Sequence, residues 1–340
     1  MTEIEDPGKD IAEVQSGVKK LSYRKGLVIL TLFLLLGLII GISQCSSAFS
    51  EMNTRSAVTA NKSIFSLLRG DYVGVLRIEG TIEAENSEYN QRWLLDTIER
   101  LNNDPQNRAL VVEINTPGGS VYESDEVYTA LRSYAQQKPL YAYCASLAAS
   151  GGYYIACAAD KIFANRNTLT GSIGVISGQS IDITALLEKA GVKITTITAG
   201  RNKNMLNYNE KLSEEQQTIM QSIADECYDQ FTSIVAERRN IDILEVASIA
   251  DGRIYTAQQA LELKLIDGIN NFADTISIII ADNDLSGSIS LEYFEYEKEK
   301  TFLENFLGVS SFIEAARSET SAVLKYLDSQ VAFPAYYFKF

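Results

Sequence analysis

Ala109–Ser120 reads ALVVEINTPGGS, and Leu140–Gly152 reads LYAYCASLAASGG. Each is a short apolar run that ends in a pair of glycines. Such runs, rich in β-branched and aromatic residues, are the mark of strands buried on both faces. Paired glycines just beyond them signal a turn. A helical pattern then follows each time: Val127, Ala130, Leu131 and Tyr134 after the first turn, Gly151–Ala158 after the second. Strand, glycine turn and helix, twice over, predict an α/β fold whose functional groups sit on the loops leaving the strands.

The alternation extends in both directions. Tyr72–Ile82 (YVGVLRIEGTI) is β-rich, and Leu94, Leu95, Ile98 and Leu101 share a helical face. Further strands are predicted at Ile162–Ala164, Ile173–Ile176 and Ile194–Thr198. Ser213 with Gln216 (SEEQ) forms a capping-box pattern, opening a long helix to about Arg238. Thr256 with Gln259 repeats it before Ala260–Leu263. No internal repeat is present. Beyond Asp282 the pattern loosens, and the chain closes on AFPAYYFKF, whose aromatics suit either a dock on a neighbour or a small closing strand.

Composition narrows the chemistry. The 340 residues are 46% hydrophobic and 22% charged, as in a folded globular protein. The net charge of −14 disfavours a nucleic-acid partner held through phosphates. There is no histidine, which removes the Ser-His-Asp triad, the Cys-His dyad and every His-ligated zinc site. Cys45, Cys144, Cys157 and Cys227 include no Cys-x-x-Cys pair. Cys144 and Cys157 lie among small and apolar residues, as buried free thiols do; a disulfide between them is the alternative. No phosphate-loop motif occurs, and neither a metal nor a cofactor is expected.

The N-terminus has a different character. Residues 1–25 carry five cations and five carboxylates, and Gly26–Ser43 (GLVILTLFLLLGLIIGIS) carries no charge. As a helix those 18 residues would span roughly 27 Å, close to the hydrocarbon thickness of a bilayer. Lys19, Lys20, Arg24 and Lys25 precede the run, which places residues 1–25 in the cytoplasm and the remainder outside. An uncleaved signal anchor over 26–44 is favoured over a cleaved signal peptide, whose apolar core is shorter. A lipid-modified Cys45 is disfavoured, because bulky Gln44 precedes it. The expected organisation is therefore a cytoplasmic segment (1–25), an anchor (26–44), a Ser-rich stalk (45–69), a catalytic domain (70–282) and an extension of unassigned role (283–340).

Without histidine, a serine at one of the glycine turns needs another base. A strand-to-helix turn offers unpaired N–H groups for an oxyanion, and glycine lets a substrate backbone approach. A neutral lysine can accept the proton, but its pKa of about 10.4 must fall by roughly 3 units. Burial, a nearby cation and the absence of a carboxylate all act that way. Ala199–Leu206 (AGRNKNML) sets Lys203 beside Arg201 with no acid among the eight residues, whereas Lys161, Lys189 and Lys193 read as surface lysines.

Four runs, ALVVEINTPGGSVYESDEVYTAL, LAASGGYYIACAADKIFANRNTLTGSIGVI, ITAGRNKNM and ADGRIYTAQQALELKLIDGI, together resemble the signal peptide peptidase A family. Its members are membrane-anchored bacterial serine proteases of the Ser-Lys type, within the ClpP/crotonase-like superfamily of repeated ββα units. The resemblance covers about residues 70–275 and the length is that of the short form. It implies Ser150 as nucleophile, Lys203 as general base, Gly119 and the Gly151 N–H as oxyanion hole, and Ser172 as a residue that orients the lysine amine. It also implies a homo-oligomer in which neighbouring subunits supply the serine and the lysine, on the outer side of the bacterial cytoplasmic membrane. The substrates implied are remnant signal peptides and other exported peptides. Leu206–Asn209 departs from the Ser-Pro-rich stretch common in short-form relatives. Two other classes are weighed beside this one. They are a non-catalytic scaffold on the same fold and an acyl-CoA hydratase, which would be soluble and use carboxylates.

Overall fold

The computed structural model describes residues 70–285 and 289–298, and the backbone of Ala335–Tyr337. They lie in one compact unit, Gly70–Phe340. The cytoplasmic segment, anchor and stalk expected over 1–69 fall outside the described residues. Among the described residues no helix is long and apolar enough to cross a membrane.

The chain opens with β1 (Tyr72–Glu79), followed by α1 (Gln91–Asn103), β2 (Asn107–Thr116), the three-residue β3 (Gly118–Ser120) and α2 (Val121–Ala135). Next come β4 (Leu140–Ala149), α3 (Gly151–Ala156), β5 (Lys161–Ala164) and β6 (Leu169–Gly171). The short α4 (Thr184–Lys189) precedes the long α5 (Glu214–Arg239), then α6 (Ile243–Ile249), β7 (Ile254–Thr256) and α7 (Ala257–Glu262). The last elements are β8 (Gly268–Ile269), α8 (Phe272–Asp282), β9 (Ser290–Phe294) and β10 (Ala335–Tyr337). The class is α/β, and β2–β3–α2 forms a ββα unit.

The main sheet runs β7-β6-β4-β2-β1-β9, parallel except where β7 meets β6. It takes β9 from beyond Asp282 to lie parallel to β1. β4 changes partner along its length: Tyr141–Cys144 pair with β5, and Leu147–Ala149 pair with β6. At the split, Thr168 Oγ1 donates to the carbonyls of Cys144 and Ala145 at 2.9 and 2.5 Å. β5 also pairs with β8.

The central strands are buried on both faces, which explains their continuous apolar runs. Leu110, Val112 and Ile114 of β2 face one core, with Leu140, Ala142 and Cys144 of β4. Ala109, Val111, Tyr141 and Tyr143 face the other, under Ile276 and Ile279 of α8. Period-two alternation thus builds two cores from the same strands. α1 contributes Leu94, Ile98 and Leu101 to the first core, as its stripe predicts, each worth about 1.5–3 kcal/mol of burial. Both capping boxes form: Ser213 accepts from Gln216 N–H, Thr256 from Gln259 N–H, and the glutamine side chains reach back.

Two expected strands do not form. Ile173–Ile176 forms no strand, the strand lying just before it at Leu169–Gly171. Ile194–Thr198 has no sheet partner, and Ile197 is 94% exposed. β-propensity without a neighbouring strand is not enough. Cys144 and Cys157 are buried free thiols, and burial pushes each up to about 12.

Candidate active site

The parallel strands β2 and β4 point the same way, and Thr116 stands opposite Ala148. Their glycine turns therefore leave the sheet side by side at its C-terminal edge, where open α/β sheets carry their sites. β6 ends there too, with Gly171 opposite Ala149. Register alone thus brings together the neighbourhoods of Gly119, Ser150, Gly151 and Ser172.

Ser150 occupies the bend between β4 and α3, with φ 56° and ψ −116°. For a residue with a Cβ this is a costly conformation, of order 1–3 kcal/mol. The surroundings hold it. Its N–H donates to Gly171 C=O at 2.8 Å, and its C=O accepts from Tyr154 N–H at 2.9 Å. The side chain is fully buried, makes no cap to α3, and its Oγ has no hydrogen-bond partner. A buried, unpaired hydroxyl costs about 1–3 kcal/mol, so this one is strained and unsatisfied at once.

Gly151 is the first residue of α3, and the leading N–H groups of a helix have no intrahelical acceptor. Gly152 follows, where an added Cβ would stand 2.6 Å from Thr116 Cγ2, so the helix start lies hard against the end of β2. Tyr154 fastens α3 from outside. Its hydroxyl donates to Asp125 at 2.6 Å, and the Gln230 amide of α5 donates to Asp125 at 3.0 Å and to the Tyr154 oxygen at 2.7 Å.

Gly119 is required for a reason the motif does not reveal. A Cβ there would lie 1.9 Å from the carbonyl oxygen of Ile82. The contact is a bridge in which Ile82 N–H donates to Gly118 C=O at 2.9 Å and Ser120 N–H donates to Ile82 C=O at 2.8 Å. The other edge of β3 pairs antiparallel with β10, Tyr336 opposite Gly119.

Ser172, buried just past β6, takes φ 51° and donates its N–H to Arg253 C=O at 2.8 Å. Lys203 is different. It is exposed, on the turns after Gly200, with its N–H bonded to Gly200 C=O at 3.1 Å. Since Ser150 Oγ has no partner, no hydrogen bond joins the two side chains within one chain. The eight residues Ala199–Leu206 hold no acid, and Glu215 at the start of α5 pairs with Arg201 at 2.5 Å and accepts from Asn202 at 3.3 Å. That carboxylate lies beyond the eight residues of the motif. The segment between β6 and α5, which carries Lys203, exposes Ile176, Leu186, Val192, Ile194, Ile197 and Tyr208, and α4 within it buries no residue. Among the described residues no group of acidic or thiol side chains is arranged to hold a metal.

Residues 132–286 match the family model described as Peptidase family S49. The match includes Ser150, Ser172 and Lys203 and begins after Gly119. An Enterococcus faecium protein provisionally named signal peptide peptidase SppA is 37% identical over 61% of this chain and 60% of its own. A Synechocystis protein provisionally named as a protease is 44% identical over 49% of this chain and 60% of its own. The chloroplastic serine protease SPPA of Arabidopsis thaliana is 28% identical over 70% of this chain and 36% of its own. The chain thus spans about 60% of the length of the first two relatives. Among solved structures, a ClpP1 from Listeria monocytogenes aligns with TM-score 0.42 and 16% identity, over 59% of this chain and 92% of that one.

Proposed function

With residues 132–286 a Peptidase family S49 domain, we propose that the protein is a membrane-anchored serine endopeptidase acting on remnant signal peptides and other exported peptides. The observation that carries the reading is the Ser150 hydroxyl, buried without a partner on a strained bend at a helix start. Strain and unsatisfied polarity in one side chain are what a nucleophile awaiting its base and substrate would show. The S49 match and the protease-named relatives support peptide hydrolysis as the chemistry.

In this mechanism, neutral Lys203 takes the proton from Ser150 Oγ as the oxygen attacks a peptide carbonyl. The N–H groups of Gly119 and Gly151 stabilise the resulting oxyanion. Lys203 returns its proton to the leaving amine, and water then hydrolyses the acyl-enzyme. Ser172 holds the amine in place. The base comes from an adjacent copy, where the amine is drawn out of water against the serine of its neighbour. Supporting this are the exposed apolar residues of the segment between β6 and α5, which also carries Lys203 and which would be covered when copies associate. The uncharged stretch 26–44 anchors the chain, with the peptidase outside the cytoplasmic membrane.

The test compares full-length wild type with Ser150→Ala and Lys203→Ala on a quenched fluorescent peptide and a fluorophosphonate probe. Both variants should lose activity by about a thousandfold or more while remaining folded. Ser150→Ala should also lose labelling. Substantial turnover by either variant refutes the assignment.

A further inference from the structure

α3 is six residues long, too short to hold its own orientation, so its surroundings decide where Ser150 and the Gly151 N–H point. Two helices grip it at both ends. At the rear, Arg132 of α2 donates to Ala158 C=O at 2.9 Å, and Arg238 of α5 donates to the carbonyls of Cys157 and Ala159 at 3.1 and 3.2 Å. At the front stands Tyr154, whose N–H closes the first turn onto Ser150 C=O. The residue is fully buried, its ring 5.3 Å from that of Tyr128 and 5.0 Å from that of Phe231. Its hydroxyl completes a closed ring of hydrogen bonds with Asp125 of α2 and Gln230 of α5. Phenol to carboxylate, amide to carboxylate and amide to phenol oxygen each set a donor against an acceptor, which fixes the orientation of the Gln230 amide.

The front clasp does what the rear one does not. α2 leaves β3 directly, its N-cap being Ser120, and Ser124 Oγ donates to Ser120 C=O at 2.7 Å. Asp125 lies about one turn into α2, and Tyr154 about one turn into α3. Joining them sets the spacing between the turn that carries Gly119 and the turn that carries Ser150 and Gly151. We propose that Asp125, Tyr154 and Gln230 are positioning residues for the nucleophile and the oxyanion hole. They touch neither substrate nor reacting atoms, and they hold the two glycine turns in mutual register. A 1 Å misplacement of reacting groups costs roughly a hundredfold in rate. A serine at φ 56° also keeps that conformation only while its neighbours over-determine it. The catalytic consequence rests on the peptidase reading above; the hold of the clasp on the Ser150 turn does not.

The experiment uses the full chain with Tyr154→Phe, with Gln230→Glu, with Asp125→Asn and Gln230→Glu together, and with Ile98→Val as a core control on α1. Tyr154→Phe keeps the ring and removes only the hydroxyl. Its kcat should fall about 10- to 100-fold with KM within about twofold, as when an interaction made for the transition state alone is lost. Gln230→Glu sets two carboxylates against each other and should match that loss. The double variant exchanges amide and carboxylate between α2 and α5. It sets a donor against an acceptor at every contact again, and should return kcat to within about threefold of wild type. Ile98→Val should lower the denaturant midpoint and leave kcat as it is, which separates positioning from a general loss of stability. Exchange of the Tyr154 amide, bonded to Ser150 C=O, should be about tenfold faster in Tyr154→Phe and Gln230→Glu and normal in the double variant. The Thr275 amide of α8 serves as the unchanged reference. Wild-type kcat in Tyr154→Phe overturns the proposal, and so does a double variant no better than Gln230→Glu. If the wild type cleaves no peptide, the peptidase reading fails, and exchange at Tyr154 decides the clasp on its own: equal rates in all the proteins overturn it.

Discussion

The surroundings of Ser150 and those of Lys203 are built on opposite plans. Around the serine, neighbouring elements fix the backbone: Ser150 N–H bonds to Gly171 on β6, its C=O to Tyr154 on α3, and Thr116 packs against the helix start. The segment between β6 and α5 that carries the lysine runs through turns, exposes six large apolar side chains and is tied to α5 by a surface ion pair between Arg201 and Glu215. Such an exposed pair contributes at most about 1 kcal/mol. The first region is complete within one chain. The second becomes an interior, under the proposed mechanism, only when another copy covers it. If catalysis needs both, neither region alone should suffice.

The sharpest attack on that contrast is to separate the two side chains genetically. Ser150→Ala and Lys203→Ala are each expected to be inactive, yet co-assembled in equal amounts they should recover activity. Random assembly with each site shared between neighbours leaves about one site in four intact. No recovery after dissociation and reassembly means the sharing is absent.

A second comparison is energetic. Gly119→Ala forces a methyl group onto the Ile82 carbonyl, a backbone atom that cannot step aside. It should cost about 2–4 kcal/mol in denaturant unfolding. Ile197→Ala, at a side chain 94% exposed, should change stability by no more than about 0.5 kcal/mol. Similar losses at both sites would erase the distinction between a sealed and an open region.

A further expected effect is alkaline. Burial pushes Cys144 and Cys157 up to about 12, above an ordinary thiol near 8.5. The folded chain then keeps protons that the unfolded chain releases. Their contribution is whole below about pH 8.5 and is lost as pH rises from there toward 12. Unfolding free energy measured at pH 8, 9.5 and 11 should decline steadily. A flat profile would mean that the thiols are not held in the dry core.

The same contrast governs how much could be read from the residues. ALVVEI and LYAYC are legible as strands because they are buried on both sides, and the two capping boxes because their partners are three residues away. The glycine turns and Ser150 follow from those strands. Leu169–Gly171 is not legible, since three residues become β6 only by lying between β4 and β7. Ile194–Thr198 misleads for the converse reason: its apolar pattern is real, but among the described residues no strand pairs with it. The carboxylate of Glu215 beside Arg201 is likewise a long-range effect that no local motif encodes. The steric demand at Gly119 comes from Ile82, nearly forty positions earlier, and the pairing of β10 with β3 from the far end of the chain.

The partner change along β4 has an architectural consequence. A strand lapped to one neighbour at its foot and to another at its head works like a spliced beam, pinned where Thr168 clasps the two carbonyls. The foot bears the load of the body. The head only has to aim one hydroxyl. Under the proposed mechanism, variation in the β6 branch re-aims the Ser150 hydroxyl, and with it the choice of peptide, while the foundations stay as they are.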